Sequence, residues 1–237
     1  MTNKLRKILL GLPSDESSNS GISVRGVAPP APAPPDGVSS VFQDRQWDSK
    51  AVEQFLNSLQ GDKLRVLDFT AACQENMDTI LALGHKPVPD DFLYMLDECF
   101  GGTGDFFENQ KIVERQDKFM QMCLQYDDWT FDGALVWDSL VYLTPELMAM
   151  TLDHLFGLLR PGALLLATFH TGSNGGKVPA FTYRMEGRKK LRLTPRGERR
   201  AGGAAMSISD IEKLFTRFSS VKFFGPREGL REVIVKR

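Results

Sequence analysis

FDGALVWDSLVYLTPELMAMTLDHLFGLLRPGALLLATFH, residues 131–170, decides the fold. Residues 131–137 and 163–169 are apolar runs rich in strand-forming side chains and lack polar alternation, so each reads as a strand buried on both faces. Between them Thr144 supplies an N-cap and Pro145 a proline at the first helical position. Leu147, Met150, His154, Leu155 and Leu158 then recur near one face of a helix, which Arg160-Pro161-Gly162 stops. Two parallel strands need a crossover packed on the sheet, and the natural host of such a unit is a doubly wound α/β domain. Ligands of these folds sit at the carboxyl ends of the strands, which directs attention to Asp138 and to His170-Thr171.

The rest of the chain is consistent with one α/β domain carrying a tail. With 237 residues and a formal net charge of -1, the chain is not suited to wholesale binding of nucleic acid or acidic membrane. Cys73, Cys99 and Cys123 are odd in number and form neither a CxxC pair nor a Cys/His cluster. No disulfide framework or metal site is expected, and a reducing cytoplasm fits best. Residues 1–40 are rich in Pro and Ser, with five prolines between Pro29 and Pro35, and read as a disordered tail. The short apolar run at residues 8–10 falls well below a signal-peptide core, and no later stretch would span a bilayer. The first dozen residues read as a frayed basic terminus, with a docking amphipathic turn as the alternative.

The folded domain is expected at residues 41–237. Asp48 can cap a helix in which Val52, Phe55, Leu56 and Leu59 share a face, and Gly61 ends it. Residues 63–69 form a short apolar strand, residues 74–83 a helix packed through Met77, Ile80, Leu81 and Leu83, and a second extended stretch ends at Asp90-Asp91. Residues 92–100 read as a further helix. The glycines at 101, 102 and 104 follow a helix and precede no Lys-Ser/Thr pair, so they mark a surface loop and not a phosphate loop. Residues 106–126 are helical in their later part, and no additional strand can be located there.

This succession resembles the class I S-adenosylmethionine-dependent methyltransferases over residues 47–237. The resemblance is carried by VLDF at 66–69, Asp91, FDGALVWDSLVYL from Phe131 and LLRPG at 158–162. It implies a Rossmann-like doubly wound sheet, mostly parallel and closed by a C-terminal antiparallel hairpin, with S-adenosylmethionine as cofactor and a methyl acceptor as partner. Asp68 matches the acidic residue that ends the first strand of the family, and Asp91 the acidic residue that holds the ribose hydroxyls. The family's glycine-rich loop is replaced by Thr70, Ala72 and Gln74, which add side chains where glycine allows positive φ and close backbone approach. Asp91 has a second reading as the cap of the following helix. Trp137 is expected in the core or as a pocket wall, and Asp138 beside the cofactor or the acceptor. His170 is placed to exchange a proton with an acceptor, whereas His154, among apolar neighbours, reads as a half-buried structural histidine. The resemblance thus names Asp68, Thr70, Ala72, Asp91, Trp137 and Asp138 as cofactor-binding candidates, and His170 and Asp138 as catalytic candidates. The alternative function is a non-catalytic binding or scaffolding protein of the same fold that has lost the cofactor site.

Beyond a loop at 171–179, residues 184–200 hold eight basic residues against Glu186 and Glu198. With Phe181, Tyr183, Leu191 and Leu193 interleaved, this basic insertion, at about 180–202, reads as a β-hairpin turning at Glu186-Gly187-Arg188. It suits a solvated face, an anionic acceptor or a nucleic acid. Ser209 and Glu212 fit a capping box for a helix burying Ile211, Leu214, Phe215 and Phe218, before two closing antiparallel strands. Glu232, within the second, is expected to pair with Arg231 or Arg227 or to be exposed.

Overall fold

The computed structural model describes residues 43–237. The expected tail and its basic start lie outside the described residues. In chain order the elements are β1 (Arg45–Asp48), α1 (Lys50–Ser58), β2 (Arg65–Asp68), α2 (Gln74–Leu81), β3 (Lys86–Pro89), α3 (Phe92–Phe100), α4 (Phe106–Asn109) and α5 (Val113–Met122). Then come β4 (Phe131–Trp137), a 3-10 turn (Ser139–Tyr142), α6 (Pro145–Leu158), β5 (Leu159–His170), β6 (Lys177–Glu186), β7 (Lys190–Arg200), α7 (Ile208–Leu214), β8 (Ser220–Phe223) and β9 (Leu230–Lys236).

Six strands make the main sheet in the order β3-β2-β4-β5-β9-β8. The first four run parallel, while β9 is antiparallel to β5 and β8 to β9. This is the doubly wound, mostly parallel α/β sheet with a closing antiparallel pair that the sequence predicts. Its strands are apolar on both faces because both faces are covered. Leu67, Ala134, Val136, Leu165 and Ala167 point into a core shared with α3, α5, α6 and α7. Their neighbours Val66, Leu135, Trp137 and Leu166 point the other way, into a second core with α1, Ile80 of α2 and a smaller sheet.

That smaller sheet, β1-β7-β6, is antiparallel throughout and lays Trp47, Leu191, Leu193, Tyr183 and Met185 on the second core. Asn76 of α2 locks it down, donating to the Tyr183 carbonyl at 3.1 Å and accepting from the Met185 amide at 2.7 Å. The hairpin therefore covers one side of the carboxyl edge of the main sheet.

Several local expectations are corrected. Residues 45–48 are a strand, and Ser49 rather than Asp48 caps α1, its hydroxyl accepting from the Val52 amide. Leu81 is exposed, and α2 packs through Asn76, Thr79 and Ile80. The buried face of α6 is Leu147, Met148, Thr151, Leu152, Leu155 and Leu158, with Met150 half-buried. Arg160-Pro161-Gly162 does end the helix, yet it belongs to an irregular start of β5, where Phe131 pairs with Leu159 and Gly133 with Leu164. The basic hairpin begins at Lys177, which pairs with Arg200, so the loop before it is shorter than expected. The capping box is Ser207 with Asp210, two residues earlier than Ser209 with Glu212. Glu232 is buried and pairs with no arginine among the described residues; it accepts from the Ser49 hydroxyl at 2.5 Å, and burial pushes its pKa up.

Candidate functional site

From β2 the chain moves outward to β3 and then returns to the other side of β2 to enter β4. The strand order reverses between β2 and β4, and at such a reversal the connecting loops diverge and leave a crevice at the carboxyl ends of the strands. A cavity of about 510 Å³ lies there, lined by the loop after β2, the residues after β3 and β4, and side chains of the β6–β7 hairpin. Of the cofactor-binding candidates, Thr70, Ala72, Asp91, Trp137 and Asp138 line it together.

Asp68 lies outside that lining. Its carboxylate is buried and accepts from Trp137 Nε1 at 2.7 Å, Asn76 Nδ2 at 2.8 Å and the Thr70 amide at 3.1 Å. Burial raises its pKa despite these donors. Asp68 thus braces the loop, the helix behind it and the end of β4. Asp91 caps α3, one carboxylate oxygen accepting from the Tyr94 amide at 3.1 Å, while its exposed side chain stands at the cavity wall. Both readings of Asp91, a cap and a group facing the site, are compatible with this position.

Trp137 ends β4 with φ at 53°, in the left-handed region that costs a non-glycine residue about 1–2 kcal/mol. A bulge lies between Leu135 and Trp137. The indole is held by Asp68 and stacks on Tyr183, with ring centroids 4.9 Å apart. The consequence of bulge and left-handed turn is that the next residue, Asp138, is re-aimed into the interior at the sheet edge.

Asp138 is 2% exposed and is the hub of a buried polar cluster. Its Oδ2 receives the Tyr142 hydroxyl at 2.8 Å and lies 3.1 Å from His170 Nε2. The Tyr183 hydroxyl faces the same carboxylate without a hydrogen bond of good geometry. Burial first, and the Asp138 charge second, push the pKa of both tyrosines well above the usual value, so both are neutral, and Tyr142 is the one that donates. His170, 5% exposed, ends β5 and lies parallel to the Phe181 ring. Because a carboxylate only accepts, the pairing places the imidazole proton on Nε2 and leaves Nδ1, which bonds to no protein group among the described residues, as an acceptor. His154 bonds to the Leu124 carbonyl at 3.1 Å and is a half-buried structural residue, as expected.

His170 lines a second cavity, of about 280 Å³, walled chiefly by Val141, Leu143, Met148, Phe169, Val178 and Leu214. The Asp138–His170 pair therefore has one member facing each cavity. A strap, Ala201-Gly-Gly-Ala-Ala205, closes the second cavity on one side.

The basic hairpin is less available than its composition implies. Arg184 pairs with Glu75, Lys189 with Asp48, Arg192 with Asp44, Glu75 and Glu186, Arg199 with Asp97 and Arg200 with Asp105. Five of its eight basic side chains thus face carboxylates of this chain. Arg184, Arg196 and Arg199 line the large cavity, and Arg196 bonds only to Thr182 Oγ1 among the described residues. No group of metal-ligating side chains occurs among the described residues, and no helix there is long and apolar enough to cross a membrane. Tyr142 and Asn76 are site residues that sequence reading missed, whereas Tyr183 and these arginines were read as part of the basic hairpin and stand at the cavity wall. For Tyr142 a signal existed, a hydroxyl one helical turn beyond Asp138; for Asn76 there was none.

No protein-family profile and no curated protein matches the sequence. Among solved structures, the chain is similar to the 1,6-didemethyltoxoflavin-N1-methyltransferase of Burkholderia thailandensis with bound S-adenosylhomocysteine, at 16% identity, TM-score 0.42, covering 79% of this chain and 76% of that one. It is also similar to S-adenosylmethionine-dependent methyltransferases of Archaeoglobus fulgidus (13%, TM-score 0.45, 78% and 91%) and Methanosarcina mazei (15%, 0.44, 76% and 95%).

Proposed function

We propose that the chain binds S-adenosylmethionine in the large cavity and transfers its methyl group to an acceptor. The observation that carries this reading is the convergence of Thr70, Ala72, Asp91, Trp137 and Asp138 on one cavity at the strand-order reversal. The residues fit the cofactor. No residue from Thr70 to Gln74 has positive φ, so the loop's path does not demand glycine. Despite the added side chains, the space of about 510 Å³ is within the usual range for small-molecule and cofactor sites. Asp91 would accept from the ribose hydroxyls, and Arg196, without a carboxylate partner among the described residues, would receive the carboxylate of the methionine part.

When bound, the cofactor supplies an electrophilic methyl group on a positively charged sulfur. The contribution of the chain is to position two reactants, exclude water and accept a proton. Asp138 holds His170 in the tautomer whose Nδ1 can take that proton, and the Tyr142 hydroxyl keeps Asp138 ordered.

Calorimetric titration of the full chain with S-adenosylmethionine and S-adenosylhomocysteine tests the reading. Micromolar binding is expected, and no heat up to millimolar ligand, in folded protein, rejects it. Asp91→Ser retains a capping hydroxyl but loses the carboxylate, so it should weaken binding by about 1.5–3 kcal/mol. Unchanged affinity would reduce Asp91 to a cap.

A further inference from the structure

The two cavities on either side of the Asp138–His170 pair differ in charge. Among the described residues the small one has no lysine or arginine in its lining. Its one carboxylate, Asp210, is exposed and already engaged by Ser207 and Lys213. An anion moved there would lie against Val141, Leu143, Met148, Phe169 and Leu214, and the one side chain able to answer it, His170, already faces the Asp138 carboxylate, which is strongly unfavourable. The one buried polar side chain facing the chamber is His170, with Nδ1 unpartnered among the described residues. We propose that this chamber is the acceptor pocket and takes a neutral, largely apolar molecule carrying one hydroxyl, of the size of a substituted phenol or a bicyclic aromatic alcohol. The acceptor role rests on the cofactor reading above.

Size supports that class. An apolar cavity of about 150 Å³ takes up benzene, so 280 Å³ leaves room for a second ring or several substituents but not for a nucleotide or a peptide. A wider space of about 650 Å³ shares Pro145, Ser173 and the strap residues 201–204 with the chamber and forms its outer approach. The cations there, Lys111 and Arg200, pair with Glu108 and Asp105, and Glu146 adds a further carboxylate, so the approach offers an anion no free cation among the described residues. The strap stays thin for a steric reason. The Gly202 amide donates to the Val141 carbonyl at 2.8 Å, and a side chain at 202 would run into the Leu143 carbonyl.

In the transfer, the acceptor hydroxyl gives its proton to His170 Nδ1, and an oxygen electron pair forms the new bond to the methyl carbon. The sulfur–carbon bond breaks with its electrons remaining on sulfur. The positive charge lost from sulfur appears on the imidazolium, beside the Asp138 carboxylate.

Titrating the full chain with 2-naphthol, first without and then with S-adenosylhomocysteine, tests the assignment. Saturable binding is expected, with 2-naphthoate, an anion of similar shape, at least tenfold weaker. Val141→Phe on the turn after β4 and Leu214→Phe on α7 fill the chamber from opposite elements, and each should weaken 2-naphthol at least tenfold while leaving S-adenosylhomocysteine affinity unchanged. Absence of saturable 2-naphthol binding, 2-naphthoate binding as tightly, or both folded phenylalanine variants retaining full affinity would overturn the proposal, even where the cofactor binds. Binding of 2-naphthol without any binding of S-adenosylhomocysteine or S-adenosylmethionine would instead break the cofactor reading and with it the acceptor role.

Discussion

The large cavity is walled by Arg184, Arg196 and Arg199 with Asp91, Glu75 and Asp138, whereas the small one is walled by aliphatic side chains, Phe169 and a strap of glycine and alanine. They share a single polar boundary, the Asp138–His170 pair. The first is suited to a ligand with several charged and hydroxyl groups, and the second to one whose recognition is mostly exclusion of water. The difference follows from what closes each space. An antiparallel hairpin with one wet face roofs the large cavity, so its alternate residues bring charge; helices α6 and α7, apolar on their inner faces, enclose the small one.

The largest effect is expected where the large cavity is braced. Asp68→Ala leaves Trp137 Nε1, Asn76 Nδ2 and the Thr70 amide without their acceptor. Stranding buried neutral donors of this kind costs about 1–3 kcal/mol for each one left without a partner, read as a lower midpoint in chemical denaturation. Near the remaining stability margin, binding of S-adenosylhomocysteine should fail while 2-naphthol still binds to the folded fraction. A loss below about 1 kcal/mol would show that Asp68 does not hold the site together.

How far these two spaces were legible in the sequence differs between them. The parallel strands and their order of burial were readable because both faces of β4 and β5 are covered, which forces continuous apolar runs. The residues at the strand ends, Asp138 and His170, followed from that topology alone. The convergence on Asp138 did not, because Tyr142 arrives through a 3-10 turn and Tyr183 through a hairpin that docks on Asn76. β1 was missed for a similar reason. In Arg45-Gln46-Trp47-Asp48 one buried apolar residue is the whole local signal, and the strand exists because Leu191 and its neighbours offer a pairing edge far along the chain. The small cavity was invisible to sequence, since its walls come from five separate elements and its thinnest part is marked only by small residues.

A smaller effect is expected at that thin part. Gly202→Ala places a Cβ against the Leu143 carbonyl and near the Thr144 amide, backbone atoms that cannot swing away. Overpacking of this kind costs about 1–3 kcal/mol and should displace the strap, lowering 2-naphthol affinity. Gly203→Ala is the matched control, because a Cβ there meets nothing within 4 Å and its φ is not left-handed. It should change stability by less than about 0.5 kcal/mol. Equal behaviour of the two variants would mean that the strap does not shape the chamber.

The smallest effect separates the cavities electrostatically. Its own amide, the Cys73 thiol and Arg184 together hold the Glu75 carboxyl at about 2, below the ordinary 4.5. A pKa lowered on folding stabilises the native state above the unfolded value and ceases to do so as pH falls through the folded one. Wild type should therefore exceed Glu75→Gln in stability at pH 6, by no more than about 1 kcal/mol for so exposed a pair, and the gap should close between pH 4.5 and 2. A gap constant with pH would remove Glu75 as a charged partner of Arg184. The same substitution releases Arg184 and weakens the hold on Arg192, so anionic ligands should gain affinity for the large cavity. The small cavity, with no arginine in its wall, should bind 2-naphthol as before, and a parallel change in both would show that they are one electrostatic compartment.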